Sequence, residues 1–154
     1  MKKIIVFMLA VTLIFAVGCG GESEAKNIPV DEIFAKIADN CDFPPMAKVD
    51  DPETAKEFFL IDIEYDKYDE VGIWQCPMSA SLAEVIIIKT PDGARAKSDL
   101  NARRDKLVDV DSFYPDAKAL AENSITGNWG QYFYFIAAED AENAEKAIKA
   151  VLTE

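Results

Sequence analysis

Apolar residues recur along this chain with more than one spacing, and the changes mark its elements. Val30, Ile33, Phe34 and Ile37 fall at i, i+3, i+4 and i+7, the single stripe of a helix that stops around Asn40. Asp50-Asp51-Pro52-Glu53 opens a second helix with an aspartate cap, proline in the first turn and Glu53 three residues after Asp50, and it runs to about Leu60. The apolar run at residues 58–63 suits helix or strand, because so short a run does not separate the two periods. From Val71 the pattern becomes extended. Residues 71–78 and 84–89 are rich in β-branched side chains, and the second stretch is apolar on both faces, as in a strand inside a sheet. Pro91-Asp92-Gly93 breaks it, after which Ala96, Leu100, Arg103 and Leu107 share one side of a helix reaching about Asp109, with the Arg103 stem along the apolar stripe. A second extended pair is predicted at residues 118–126 and 131–138, joined by the turn-rich Gly127-Asn128-Trp129-Gly130. Ala141, Ala144, Ile148, Val151 and Leu152 close the chain with an amphipathic helix.

This order predicts one α+β domain over residues 28–154: a four-stranded, mainly antiparallel sheet with helices packed on one face, built as two hairpin-helix units preceded by two helices. The halves share too little sequence to be called a repeat.

Ahead of that domain the pattern is of another kind. Met1-Lys2-Lys3 is a short positive start, and residues 4–17 form an almost unbroken apolar run closed by Gly18-Cys19-Gly20. Crossing a bilayer takes about 20 apolar residues, so the run suits the hydrophobic region of a signal peptide better than a permanent span. Ala16-Val17-Gly18-Cys19 resembles a lipobox, with Ala16 where leucine is usual. Residues 1–18 are therefore expected to be a lipoprotein signal peptide, Cys19 the lipidated residue and residues 19–27 a small, polar, flexible tether. The competing expectation is an ordinary secretory cleavage site, since Ala16 and Gly18 also satisfy a small-residue rule. Two acyl chains on Cys19 would hold the protein stably at the extracytoplasmic face of the cell membrane.

Charge narrows the choice of partners. The 154 residues carry a formal net charge of -12, with 28 acidic and 16 basic residues, and loss of Lys2 and Lys3 with the leader would leave 14 basic residues and a net charge of -14. Such a surface repels nucleic acid and offers few cations to replace its counterions. The chain has no histidine, which removes the commonest general base and the commonest zinc ligand together. No cofactor or metal is expected. With Cys19 assigned to lipid, Cys41 and Cys76 remain, and two readings stay open. A bridge closing a loop of about 35 residues would be worth roughly 4 kcal/mol in the chain-entropy account, whereas two separate thiols would behave as small apolar groups.

Candidate chemistry is sparse. Asp62, Glu64, Asp66, Asp69 and Glu70 could offer oxygens to calcium, but counting from Asp62 a calcium loop would need glycine at Lys67 and glutamate at Ile73, so a solvated acidic loop is expected. Trp74, Trp129, Tyr132 and Tyr134 could form an aromatic platform for a glycan; core packing is the expectation for the others, while Trp129, between Gly127 and Gly130, and its neighbour Tyr132 are the candidate ligand contacts. Ser79, Ser81, Ser98, Ser112 and Ser124 sit in neither G-x-S-x-G nor S-x-x-K.

Met78-Ser79-Ala80 followed by Glu84 opening an apolar strand, Arg103 late in the next helix, Tyr114-Pro115, and Glu122-Asn123 leading to Gly130-Gln131-Tyr132 together resemble the domain of unknown function 4358. The resemblance covers residues 30–152 and implies a small lipoprotein of a Gram-positive anaerobe with no established activity. The leading expectation is a non-catalytic envelope lipoprotein that binds an unidentified protein partner or ligand. The alternatives are a carbohydrate-binding accessory using exposed aromatics, and an envelope hydrolase with a carboxylate pair.

Overall fold

The computed structural model describes residues 25–77, 83–109 and 115–153. In chain order the elements are α1 (Val30–Ala38), β1 (Ala47–Lys48), α2 (Pro52–Phe59), a 3-10 turn (Tyr65–Lys67), β2 (Glu70–Gln75), β3 (Glu84–Lys89), α3 (Gly93–Asp109), α4 (Pro115–Glu122), β4 (Ile125–Trp129), β5 (Tyr132–Ala137) and α5 (Ala141–Thr153). The strands form one antiparallel sheet in the order β1-β2-β3-β5-β4. The two hairpin-helix units, β2-β3-α3 and β4-β5-α5, are as the pattern predicts.

Three expectations are corrected. The sheet has five strands rather than four, because the two-residue β1, too short for any periodicity, pairs with Trp74 and Gln75 at the edge of β2. Residues 118–122, expected to be extended, belong to α4: Ala, Leu and Glu favour a helix, Pro115 suits its first turn, and the Asn123 side chain closes it on the Ala119 carbonyl at 2.8 Å. Helices cover both faces of the sheet, not one. Val85 and Ile87 of β3 with Tyr132, Tyr134 and Ile136 of β5 meet Ile33 and Ile37 of α1 and Ala144, Ile148 and Leu152 of α5. Ile86, Ile88, Phe133 and Phe135 point the other way, toward Ala55 of α2 and Ala96 and Leu100 of α3. A one-sided arrangement would leave an entire row of isoleucines and phenylalanines in water, at roughly 1.5–3 kcal/mol each.

The ends of the strands define two poles. At one, Lys89, Tyr132 and Trp129 lie side by side and Gly130 makes the β4-β5 turn at φ +56°. The N-terminal segment enters here, docked from Ala25 onward. The Lys26 amide donates to the Leu152 carbonyl at 2.9 Å, and the Ile28 amide donates to the Tyr132 hydroxyl, which itself donates to the Ile28 carbonyl, both at 2.7 Å. Ala25 sits so close to Gly130 that a Cβ there would meet it at 2.7 Å. Glu70 at the same pole accepts the free Val30 amide at the start of α1 (2.9 Å) and pairs with Lys89 at 2.6 Å. The other pole carries Gln75, Glu84 and Ala137.

Trp74 fixes the first layer. Its ring stacks on Phe34 with centroids 4.1 Å apart and planes within 4°, and it lies flat over Gly72, where any side chain would enter the ring's van der Waals envelope.

Candidate functional site

At the second pole a charged pair is sealed inside the protein. Glu84 begins β3 and is wholly buried, and Arg103, on the inward stripe of α3 with Ala96 and Leu100, is 4% exposed. Arg103 Nε donates to Glu84 Oε1 at 2.7 Å and Nη2 donates to Oε2 at 2.5 Å, a two-pronged pairing that lysine could not copy. Gln75 Nε2 adds a third donor to Glu84 Oε2 at 3.2 Å. The remaining guanidinium nitrogen, Nη1, reaches the carbonyls of Phe59 and Leu60 at 3.0 and 3.3 Å. Sheet, α3 and the carboxyl end of α2 are thus joined through one arginine, whose donors go to the Glu84 carboxylate and to two backbone carbonyls.

What this clasp holds is exposed. Asp51 caps α2 by accepting from the Thr54 amide at 2.9 Å and its hydroxyl at 2.6 Å, so the cap is Asp51 rather than the Asp50–Glu53 pair suggested by spacing. The Thr54 contacts hold the Asp51 carboxyl below the usual range, anionic at neutral pH. Ala55 is the one buried residue of α2. The helix ends on Leu60 at φ 58°, ψ 29°, a left-handed cap where glycine is usual. Phe58 is 77% exposed and Leu60 46%, so two large apolar side chains stand outside beside the backbone that Arg103 holds.

Grooves run along both sides of this ridge. One, of about 450 Å³, has Ile61, Ile63 and Tyr65 as its floor and Glu53, Asp62 and Glu64 on its rim. The other, of about 300 Å³, lies between Thr54 and Phe59 on one side and Lys48, Gln75 and Pro77 on the other, and Gln75 Oε1 is buried beside it with no partner among the described residues. Tyr65 donates its hydroxyl to the Val49 carbonyl at 2.9 Å, and burial, reinforced by the charges of Asp50 and Asp51, pushes its pKa up to about 12. It is a neutral wall of the first groove. Between Asp50 and Asp66 the chain has seven carboxylates against the single Lys56.

The left-handed conformation at Leu60 costs roughly 1–2 kcal/mol relative to glycine. Leu60→Gly is expected to raise the unfolding free energy in urea by about 1 kcal/mol, since an exposed leucine forfeits little packing; an unchanged or lower stability would contradict the cap geometry.

The family profile described as Domain of unknown function (DUF4358) matches residues 39–138, well over half of the 154 residues. The chain belongs to this family. The matched stretch of the DUF4358 domain holds the whole sheet with α2, α3 and α4, and so contains Gln75, Glu84 and Arg103 as well as the Phe58–Leu60 crest. No curated protein and no solved structure matches the chain.

Within the DUF4358 domain the residues singled out by the sequence fall in separate places. Cys19 and the leader lie outside the described residues, as do Met78-Ser79-Ala80, Ser81, Ser112 and Tyr114. Cys41, half-buried, and Cys76, buried, are free thiols, and burial with the nearby charge of Asp140 raises the Cys41 pKa. Tyr132, expected to contact a ligand, is wholly buried with its hydroxyl spent on Ile28, while Trp129 ends β4 half-buried rather than standing in the turn, which falls at Gly130-Gln131. Trp74 and Tyr134 are core residues, the latter donating to Glu145 Oε1 at 2.9 Å. The acidic run is partnered: Asp62 by Lys56 at 3.0 Å, Glu64 by Arg95 at 2.8 Å, Asp66 by Lys67 at 3.2 Å and Glu70 by Lys89. Among the described residues no group of three or more candidate ligands is placed to hold a metal ion, and no helix is long and apolar enough to cross a membrane. The buried pair escaped sequence reading although its signals were present, an arginine on an apolar stripe and a glutamate opening an apolar strand. The Phe58–Leu60 crest was hidden in the run that suits either helix or strand.

Proposed function

We propose that this chain is a lipid-anchored extracytoplasmic protein whose domain serves as a non-catalytic binding module of the cell envelope. The observation that carries the reading is the docking of Ala25, six residues after Cys19, at the pole opposite the carboxyl end of α2. Six residues span at most about 20 Å, so a lipid on Cys19 would keep the β4-β5 turn near the bilayer and turn Phe58 and Leu60 outward. A binding rather than a catalytic role is favoured by the way the buried carboxylate is used: both oxygens of Glu84 are occupied by Arg103, and one also by Gln75. A glycan-binding platform loses support with Trp74, Tyr132 and Tyr134 inside the core.

The test is retention. Wild-type protein is expected to stay with membranes through carbonate washing and Cys19→Ala to be released. Retention of the variant would overturn the anchor.

A further inference from the structure

Resting on the reading of the domain as a binding module, we infer that the α2 ridge is its docking surface and that the occupant is a basic segment of a partner protein carrying an apolar anchor residue. The apolar part of the match comes from the ridge itself. Phe58 and Leu60 are the exposed large hydrophobic side chains among the described residues, two positions apart at the carboxyl end of α2, a helix with grooves of about 450 and 300 Å³ along its sides. Aromatic and aliphatic anchors seated beside pockets of this kind supply most of the energy at protein contacts. The position is held at a cost: Leu60 occupies a left-handed backbone that glycine would take freely, and Arg103 grips the carbonyls on either side of that bend.

The charge part comes from the surroundings. Between Asp50 and Asp66 the chain has seven carboxylates to one lysine. In the fold Lys48, Lys56, Arg95 and Lys67 pair with Asp50, Asp62, Glu64 and Asp66, which leaves Asp51, Glu53 and Glu57, all on α2 or at its cap, without a cationic partner among the described residues. Lys or Arg side chains of an occupant would face Glu53 on one rim and Asp51 on the other, beside Lys56 and Lys48, whose charges are already taken up by Asp62 and by Asp31 and Asp50. A second copy of the chain fits poorly, because two such ridges repel each other. A lipid surface fits poorly as well, since the crest lies at the pole away from the docked N-terminal segment and shares its helix with the unpaired carboxylates of Glu53 and Glu57.

The experiment uses the full chain in detergent micelles and fluorescently labelled short peptides alternating Leu with Lys, Leu with Glu, or Ser with Lys, followed by anisotropy. The Leu/Lys peptide is expected to bind saturably and the other two about tenfold or more weakly, a difference of roughly 1.4 kcal/mol. Phe58→Ser and Glu53→Lys should each weaken the Leu/Lys peptide several-fold, while Glu142→Lys, an identical charge change at an exposed position of α5, should leave it unchanged. Equal losses from Glu53→Lys and Glu142→Lys would mean general attraction to an acidic protein and would overturn the assignment. So would equal binding of the Leu/Glu peptide, or a dimer of the free chain that Leu60→Asp dissociates. Binding that ignores both Phe58→Ser and Glu53→Lys would move the site elsewhere but keep the module; no saturable binding of any peptide would remove both. Membrane release of Cys19→Ala reads the anchor separately, and that variant should bind peptide as the wild type does.

Discussion

Arg103→Ala is expected to destabilise the protein by about 3–5 kcal/mol in urea unfolding, because it leaves the Glu84 carboxylate buried without its counter-ion. Two separate losses combine in that figure. Glu84 gives up both prongs of the guanidinium while staying wholly buried, and the carbonyls of Phe59 and Leu60 lose the Nη1 donor that holds the end of α2. Arg103→Lys should recover only part, since an ammonium cannot reach both carboxylate oxygens and both carbonyls at once. Replacing both members with apolar residues of similar volume, Glu84→Leu with Arg103→Met, should restore most of the stability, because the desolvation of two charges is then no longer incurred. What the double variant should not restore is the fixed position of Leu60, so peptide binding at the ridge should stay weak in a stable protein. An Arg103→Ala cost below about 1 kcal/mol would contradict the burial of the pair.

The second large effect belongs to Trp74. Trp74→Ala should cost about 3–5 kcal/mol through the lost stack on Phe34 and the cavity left above Gly72. Gly72 supplies an internal check on that explanation. In the wild type Gly72→Ala should destabilise by about 1–3 kcal/mol, as its methyl group competes with a ring that Phe34 keeps from moving. In the Trp74→Ala background the same substitution should stabilise by a few tenths to about 1 kcal/mol, because an alanine in a strand gives up less chain entropy than glycine and now has room. A change of sign between the two backgrounds, measured by urea or thermal unfolding, identifies the ring as the cause. The same sign in both would mean that the strand backbone at Gly72, and not Trp74, excludes a side chain.

Legibility in the sequence followed the length of the periodic signal. The stripe Val30, Ile33, Ile37 and the closing stripe Ala141, Ala144, Ile148, Leu152 lie on α1 and α5 as read, since each repeats its period over two or more turns. Strand β3 was equally clear, and its apolar residues on both faces already implied cover on both sides of the sheet; the one-sided packing expected from the element order gave that observation too little weight. Strand β1 had no signal to read, because two residues have no period and their pairing is a property of where Trp74 and Gln75 lie. The site was harder for a related reason. A buried Arg–Glu contact between residues 19 positions apart depends on two elements meeting, and an arginine on an apolar stripe or a glutamate opening an apolar strand does not by itself name its partner. Tyr132 illustrates the opposite error: next to a glycine turn it reads as exposed, yet its hydroxyl belongs to a backbone 104 residues away.

That same hydroxyl settles how the domain answers a pull on its N-terminal end. Tension arriving at Ala25 passes through Lys26 to the last turn of α5 and through Ile28 to the first residue of a central strand, so it is shared between two distant parts of the chain. Helix α1 lies behind these contacts and stays unloaded until they rupture.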